Sequence, residues 1–162
     1  MNYLGHALVE YRNGLIAAAM VTHAEGYAER DAALLMLQQK QDGRSRRITV
    51  GADKAYNSKD FARTARELNV TPHVGRNDKG RANNLDRRTT RQPGYAIRLS
   101  RRWLVENGFG WLKGTVGPLR QIRLRGLGKV DWLFGFSCAG HNLIRLPKLM
   151  AQSTVTLREQ CA

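Results

Sequence analysis

The chain has 162 residues, enough for one domain with a buried core, and its 42% hydrophobic and 25% charged residues are ordinary for a globular protein. Two cysteines, no secretory signal pattern and no apolar run long enough for a bilayer exclude a disulfide-rich or membrane-spanning protein and fit a reducing cytoplasm. The 27 Lys and Arg against 13 Asp and Glu give a formal net charge of +14, which favours a phosphate-rich partner over a merely soluble surface.

The chain opens with a predicted β-hairpin. Residues 3–11 place Tyr, Gly, Ala and Val on one face of a strand. Arg12-Asn13-Gly14 is a strong turn signal because Asn-Gly tolerates positive φ, so residues 15–21 are predicted to return antiparallel. Residues 27–41 then have the broad apolar face of a helix.

A strand, a helix and a second strand follow. Residues 48–52 are a short apolar run that ends at Asp53. Ser58 is a good N-cap for a helix over residues 59–68. Residues 70–74 read as another strand, which Pro72 places at a sheet edge. This order predicts a parallel pair of strands.

The last third alternates basic loops with helices. Residues 75–94 are a long Arg-rich loop, and residues 100–113 read as a helix with an apolar side that extends back to Ile97 and a polar side that carries Glu106. A second basic loop over 114–128 precedes a helix over 129–146 that is apolar on most faces and is therefore predicted to be buried. Pro147 is expected to end that helix.

These elements predict an α/β domain with a mixed sheet, in which a β-hairpin is followed by parallel strands with helical crossovers. We expect the domain to cover residues 1–150 and residues 151–162 to form a flexible tail.

Positive charge is concentrated in one third of the chain. Residues 76–125 hold eleven Arg and two Lys against three acids, which is a net +10 of the chain's +14. Clustered charge repels itself in the absence of a partner, so this region indicates a surface that binds nucleic acid.

Two carboxylates are candidates for chemistry. Asp53 follows the C-terminal end of a predicted strand, which is where ligands collect in α/β sheets. Taken alone, however, it is better explained as a turn or cap residue. Glu106 is surrounded by cations, and from its helix alone an ion pair with Arg102 one turn earlier is the better explanation. Together, the two acids could bind Mg²⁺, which takes one or two carboxylates and keeps positions for water and phosphate oxygens.

The motifs VGADKAYNSKDF, VTPHV, RRTTRQPGYAI, RWLVENGFGWLK and RLRGLGKVDWLF…HNLIRLPKLM resemble, in this order, DDE-type transposases of the insertion-sequence-five group. The opening LGHALVEYRNGLI and the helix AERDAALLML belong to the same resemblance. It implies an RNase H-like fold, Mg²⁺ (with Mn²⁺ as an alternative) as cofactor and DNA as partner. It also implies a bacterial cytoplasmic protein associated with the nucleoid.

The resemblance also implies roles for individual residues. Asp53 matches the acid of the A-D-K/R-G-Y motif, although Ala55 replaces the usual Gly. Glu106 matches the acid of the R-x₃-E-x₆-K signature, so both are expected to be catalytic metal ligands. Arg102 and Lys113 match the DNA-handling Arg and Lys of that signature. The other expected DNA contacts are the arginines of the basic region: Arg87, Arg88, Arg91, Arg98, Arg120, Arg123 and Arg125.

The third acid of the family has no counterpart here. It lies on a strand that precedes the hairpin, and neither Asp31 nor Asp42 is a plausible substitute. We therefore expect a truncated RNase H-like fold and a carboxy-terminal transposase fragment that is inactive alone. Metal binding then requires an acid from an upstream transposase polypeptide, and homo-oligomerisation is left open. The alternatives are a non-catalytic DNA-binding module or regulator and a remnant that does not fold alone.

Overall fold

The computed structural model describes residues 2–75, 91, 93–101, 103–114, 119 and 122–160. Its elements in chain order are β1 (Tyr3–Val9), β2 (Ile16–His23), α1 (Ala28–Gln41), β3 (Ile48–Ala52), a 3₁₀ turn (Lys54–Tyr56), α2 (Lys59–Glu67), β4 (Val70–Val74), α3 (Pro93–Ser100), α4 (Trp103–Lys113) and α5 (Leu127–Gln160).

The predicted hairpin is confirmed. Strands β1 and β2 pair antiparallel, from Tyr3 opposite His23 to Val9 opposite Ile16, with an irregular step at the turn end of β1. Gly14 supplies the turn with a φ of +69°, a conformation that suits glycine because it has no Cβ. The guanidinium of Arg145 packs where that Cβ would be, at 3.0 Å.

The predicted parallel pair is also confirmed, with the expected strand bounds. Strand β3 lies parallel to β4, with Val50 opposite Pro72 in the middle of the ladder. The intervening α2 begins where the sequence indicated, because the Ser58 hydroxyl accepts a hydrogen bond from the Phe61 amide at 3.2 Å.

The α/β class is confirmed, and the arrangement of hairpin, parallel pair and flanking helices is consistent with a truncated RNase H-like fold. Within the described residues, however, the two strand pairs form two separate sheets, β1–β2 and β3–β4, and no backbone ladder joins them. Strands β1 and β3 instead face the same groove. Helix α1 connects the two halves, because Leu37 lies in a core that Leu8 and Val50 both contact.

Helix α5 is held against the hairpin by an apolar core and by polar contacts, two of which reach the backbone of β2. Val130, Phe134 and Cys138 pack with Ile16 of β2 in that core. The side-chain amide of Asn142 accepts a hydrogen bond from the Ile16 amide and donates one to the Ile16 carbonyl, both at 2.8 Å.

The second polar contact lies near the other end of β2. There the Asp131 carboxylate accepts a hydrogen bond from the Val21 amide at 2.7 Å. Strand β2 is therefore hydrogen-bonded to β1 on one side and to two side chains of α5 on the other, which satisfies backbone groups that a sheet edge leaves open.

The predictions for α5 were wrong in two respects. The helix continues through Pro147 to Gln160, since proline removes one backbone donor but keeps a helical φ. The helix is also not buried on most faces, because Trp132, Phe136 and Leu143 are 66–68% exposed. Whether residues 151–162 are flexible stays a prediction. Within the described residues, no helix has the length and apolarity needed to cross a membrane.

The helix predicted over residues 100–113 is interrupted near its start. Ser100 ends α3, where its hydroxyl donates to the Ile97 carbonyl at 2.8 Å, a local bond that competes with helix continuation. Helix α4 begins at Trp103. Ile97 and Val105 were expected on the buried side, but they are 51% and 37% exposed. The break places Ile97 on a different helix from the buried Leu104 and Leu112.

We expect Asn142→Leu to destabilise the fold by about 2–4 kcal/mol, because it leaves the amide and carbonyl of Ile16 without their partner. Urea denaturation measures the difference. Asn107→Leu, at an exposed position of α4, is the matched control and should change stability by less than about 0.5 kcal/mol. Equal effects of the two variants would contradict a structural role for Asn142.

A second prediction concerns His141, which is buried and whose Nδ1 has no hydrogen-bond partner. Burial lowers the pKa of His141 from its ordinary value of 6.5. Its contribution to stability is complete above the unfolded-state pKa near 6.5 and is lost as pH falls towards the lower folded-state value, because the unfolded chain then takes up the proton first.

Thermal unfolding should therefore occur at lower temperature as pH falls from about 7.5 to about 5.5, and His141→Phe should reduce that change. His23→Gln at an exposed position is the control and should keep the full change. An unaltered pH dependence in the His141 variant would refute the assignment.

Candidate active site

A groove of about 300 Å³ separates the two strand pairs. Its walls are residues 5–8 of β1 and residues 50–52 of β3. Helices α1 and α4 complete it with a mixture of apolar and acidic side chains, namely Glu29, Ala33, Met36, Val105, Glu106 and Phe109. Asp53, Tyr56 and Phe61 close the end that lies beyond β3.

Asp53 is placed by the end of β3 and by the 3₁₀ turn that follows it. It is half-buried, and its carboxylate accepts a hydrogen bond from the Lys54 amide. Its carbonyl accepts another from the Tyr56 amide at 3.0 Å. Asp53 therefore acts as a cap residue, as the simpler interpretation of the sequence had it, and it lines the groove as well.

Glu106 is placed by α4, whose Leu112 is 1% exposed and belongs to the hairpin core. Leu104 of the same helix is buried as well. Its own side chain is exposed and lines the groove. Arg102, the ion-pair partner that the sequence suggested for it, lies outside the described residues. The structure thus brings Asp53 and Glu106 to one groove, and their catalytic and metal-binding roles stay predictions.

Three further polar residues line the groove, and two of them, His6 and Glu29, were missed in the sequence. His6 is buried, and its Nε2 lies 2.8 Å from the Thr22 hydroxyl. Glu29 is an exposed acid of α1. Tyr56 packs edge-on against Phe61, with ring centroids 5.3 Å apart. Side chains alternate between the two faces of a strand, and only this alternation along β1 could have predicted where His6 points. Nothing local in the sequence indicates that Glu29 lies near His6 and Tyr56.

The groove alters the ionisation of two of these residues. Burial raises the pKa of Tyr56 to about 12, and the nearby carboxylates Glu29 and Asp53 add to that shift. Burial lowers the pKa of His6. At neutral pH the groove therefore presents a neutral phenol and a neutral imidazole beside its carboxylates.

The acids present are suitable for a hard divalent cation. Oxygen ligands are what Mg²⁺ prefers, and one or two carboxylates suffice when water and phosphate oxygens fill the other positions. Asp53 and Glu106 bring two carboxylates to the groove from two different elements. No cluster of three or more His, Cys, Asp or Glu side chains that could hold a metal ion occurs among the described residues, so Glu29 does not complete such a set.

Several residues expected to contact DNA are exposed. Lys113, at the end of α4, has its ammonium 5.7 Å from the centroid of the Phe109 ring, which lines the groove. The guanidinium-bearing residues Arg91, Arg123 and Arg125 are exposed as well. Arg98 belongs to α3, but its side chain is not among the described parts of the structure. Outside the described residues altogether lie Arg87, Arg88, Arg102 and Arg120.

Comparison with known proteins identifies the class of protein. Residues 1–143 match the family described as Transposase DDE domain. The match covers most of the chain, so the chain belongs to the DDE transposase family, which indicates a role in DNA transposition. Members of this family generally depend on a divalent metal ion and bind DNA. No curated protein and no solved structure shows significant similarity to the chain.

Proposed function

We propose that the chain is the carboxy-terminal part of the catalytic domain of a DDE transposase of the insertion-sequence-five group, with Asp53 and Glu106 as two of its metal-binding acids. The observation that carries this proposal is that both acids line one groove inside the segment that matches the family. They reach it from separate elements, which suits two ligands of a shared ion.

A divalent ion bound there, Mg²⁺ or Mn²⁺, would stabilise the attacking and leaving oxygens of a displacement at phosphorus. The groove residues have complementary tasks. The Asp53 carboxylate, which lines the groove, is oriented by a hydrogen bond from the Lys54 amide. Tyr56 keeps its proton at neutral pH because its pKa is about 12, so it can donate a hydrogen bond to a phosphate oxygen.

Lys113 extends the site towards the DNA. Its ammonium lies over a ring of the groove wall, at a distance where cation–π attraction holds a cation while leaving it accessible. In the complete enzyme, water would cut the DNA strand and the freed 3′-hydroxyl would then attack target DNA. We place this activity in the bacterial cytoplasm, at the nucleoid.

We further propose that this chain is catalytically incomplete and that an upstream transposase polypeptide completes it. Residues 5–8 of β1 and 50–52 of β3 line opposite walls of the groove, and each strand is paired on one side only within the described residues. An extended segment between them would satisfy both edges by strand addition. Its C-terminal end could carry the third acid to Asp53 and Glu106.

Strand cleavage tests this proposal. The purified chain is incubated with Mg²⁺ or Mn²⁺ and a duplex carrying an element end, with and without a polypeptide that carries the upstream segment. We expect cleavage only in the mixture, and we expect Glu106→Gln to abolish it by removing a metal-binding carboxylate. Glu67→Gln, at an exposed position of α2, is the matched control and should retain activity.

Cleavage by the chain alone that depends on Glu106 would show that the chain is already complete. Absence of cleavage in both reactions would instead favour the second candidate function, a non-catalytic DNA-binding module or regulator. The observation in favour of that module is the group of exposed cations at Arg91, Lys113, Arg123 and Arg125.

DNA affinity is expected for both candidates and has its own test. Binding to duplex DNA should show little sequence preference. A plot of log K against log[salt] should be a falling line whose slope is about −0.9 for each phosphate that the protein neutralises. Lys113→Ala should weaken binding and reduce that slope by about 0.9. Lys59→Ala, an exposed lysine outside the basic region, should leave the slope unchanged. Salt-insensitive binding would contradict a phosphate-binding surface.

A further inference from the structure

Tyr27 precedes helix α1 and, at 72%, is the most exposed large apolar or aromatic side chain in the described part of the chain. It occupies the N-cap position of α1, yet its side chain makes no capping hydrogen bond there. Serine, threonine, aspartate and asparagine are the residues that stabilise a helix from this position. The fold therefore gains neither a buried ring nor a cap from this tyrosine, and its aromatic face is open to a ligand.

The guanidinium of Arg30 lies over the Tyr27 ring. Its central carbon is 5.8 Å from the ring centroid, within the range of a cation–π contact. Among the described residues, the Arg30 side chain has no ion-pair or hydrogen-bond partner. A guanidinium in such a contact keeps its N–H donors at its edge, where a phosphate can accept from them. Tyr27 and Arg30, which we call the tyrosine–arginine pair, thus combine an aromatic face with an anion-binding edge.

The tyrosine–arginine pair lies beside the part of the groove that contains Asp53 and Tyr56. Glu29, between its two members in the chain, lines the groove with both of them. Ala33, one turn after Arg30, packs on a core that Tyr56 also contacts, and residues three apart share a helix face. Burial, Glu29 and Asp53 raise the pKa of Tyr56, and Arg30 is near enough to oppose them. A DNA strand whose phosphate is bound by Tyr56 would therefore pass next to Arg30.

We propose that the tyrosine–arginine pair binds one unpaired nucleotide of the DNA strand at the groove, with the base stacked on Tyr27 and the phosphate beside Arg30. Every base has a face that can stack on an aromatic ring, but inside a duplex that face is covered by the neighbouring base pairs. The inference rests on the proposed function, since the strand that reaches the pair is the one cut at Asp53 and Glu106. It adds a DNA contact outside the basic region of residues 76–125.

The base should supply most of the affinity at the tyrosine–arginine pair. Glu29 and Asp31 flank Arg30 in the chain and are exposed carboxylates, so they repel a phosphate and weaken its attraction to the guanidinium. Stacking of one base on an aromatic side chain contributes about 5- to 150-fold in affinity. Stacking neutralises no phosphate, so this factor should stay the same as salt rises, whereas the contribution of Lys113 should decrease.

Binding of two short DNA duplexes to the full chain, measured in EDTA at about 0.1 M and about 0.2 M NaCl, provides a test that needs no catalysis. One duplex is blunt. The other carries a single-stranded extension whose first unpaired base is a fluorescent adenine analogue that stacking quenches. We expect the extended duplex to bind about tenfold more tightly at both salt concentrations and the analogue to be quenched, because its base stacks on Tyr27.

Variants separate stacking from folding. Tyr27→Ser should remove the preference and the quenching while keeping or raising the melting temperature, because serine is the better N-cap. Tyr27→Phe keeps the aromatic face and should keep both. Leu35→Ser replaces a 46% exposed side chain further along the same helix, and this matched control should leave the preference unchanged. If Tyr27→Ser does not fold, Tyr27→Leu takes its place.

Equal affinity for the two duplexes, or a preference that persists in Tyr27→Ser, would overturn the stacking site. The proposed function would then still stand, provided that Lys113→Ala weakens binding to both duplexes. A chain that binds neither duplex would overturn the stacking site and the proposed function together. Loss of the preference in Leu35→Ser as well would also overturn the stacking site, since damage to α1 would then explain the effect.

Discussion

The contacts from α5 to the outer edge of β2 are the constraint on which the rest of the structure depends. A two-stranded hairpin is marginal by itself in water. Asn142 and Asp131 supply hydrogen bonds to Ile16 and Val21, across 126 and 110 residues of chain. These bonds fill backbone hydrogen-bonding positions on the outer edge of β2. The other strand of the hairpin, β1, faces the groove.

The groove therefore lies between two parts of the molecule that have separate cores: the hairpin with α5, and the β3–β4 pair with α2. Asp53 follows β3, whose Val50 packs on a core formed by Leu37, Ala65 and Val70. Glu106 lies on α4, whose Leu112 belongs to the core under α5. The distance between the two acids consequently depends on how firmly α1 ties the halves together, since the described strands share no backbone ladder. A partner that binds between β1 and β3 would set that distance directly.

Local signals in the sequence predicted the local elements well. The bounds of β3 and β4 and the start of α2 at Ser58 followed from short apolar runs and a cap residue. Periodicity failed where the outcome depended on tertiary packing: it identified α5 as apolar but could not tell which apolar face a neighbour would cover. Glu29 escaped notice for the same reason, because only the packing of α1 brings it to the groove.

Gly5 lies in β1 between the groove and the ring of Phe134. It contributes to the wall of the groove, and a Cβ added to it would lie 2.9 Å from the ring of Phe134, a distance that requires the ring or the strand to shift. At this position only the backbone of β1 separates the hairpin core from the groove. A genetic screen for inactive variants of the completed enzyme should therefore recover alanine at this position, and such an allele would be easily mistaken for damage to the catalytic chemistry itself.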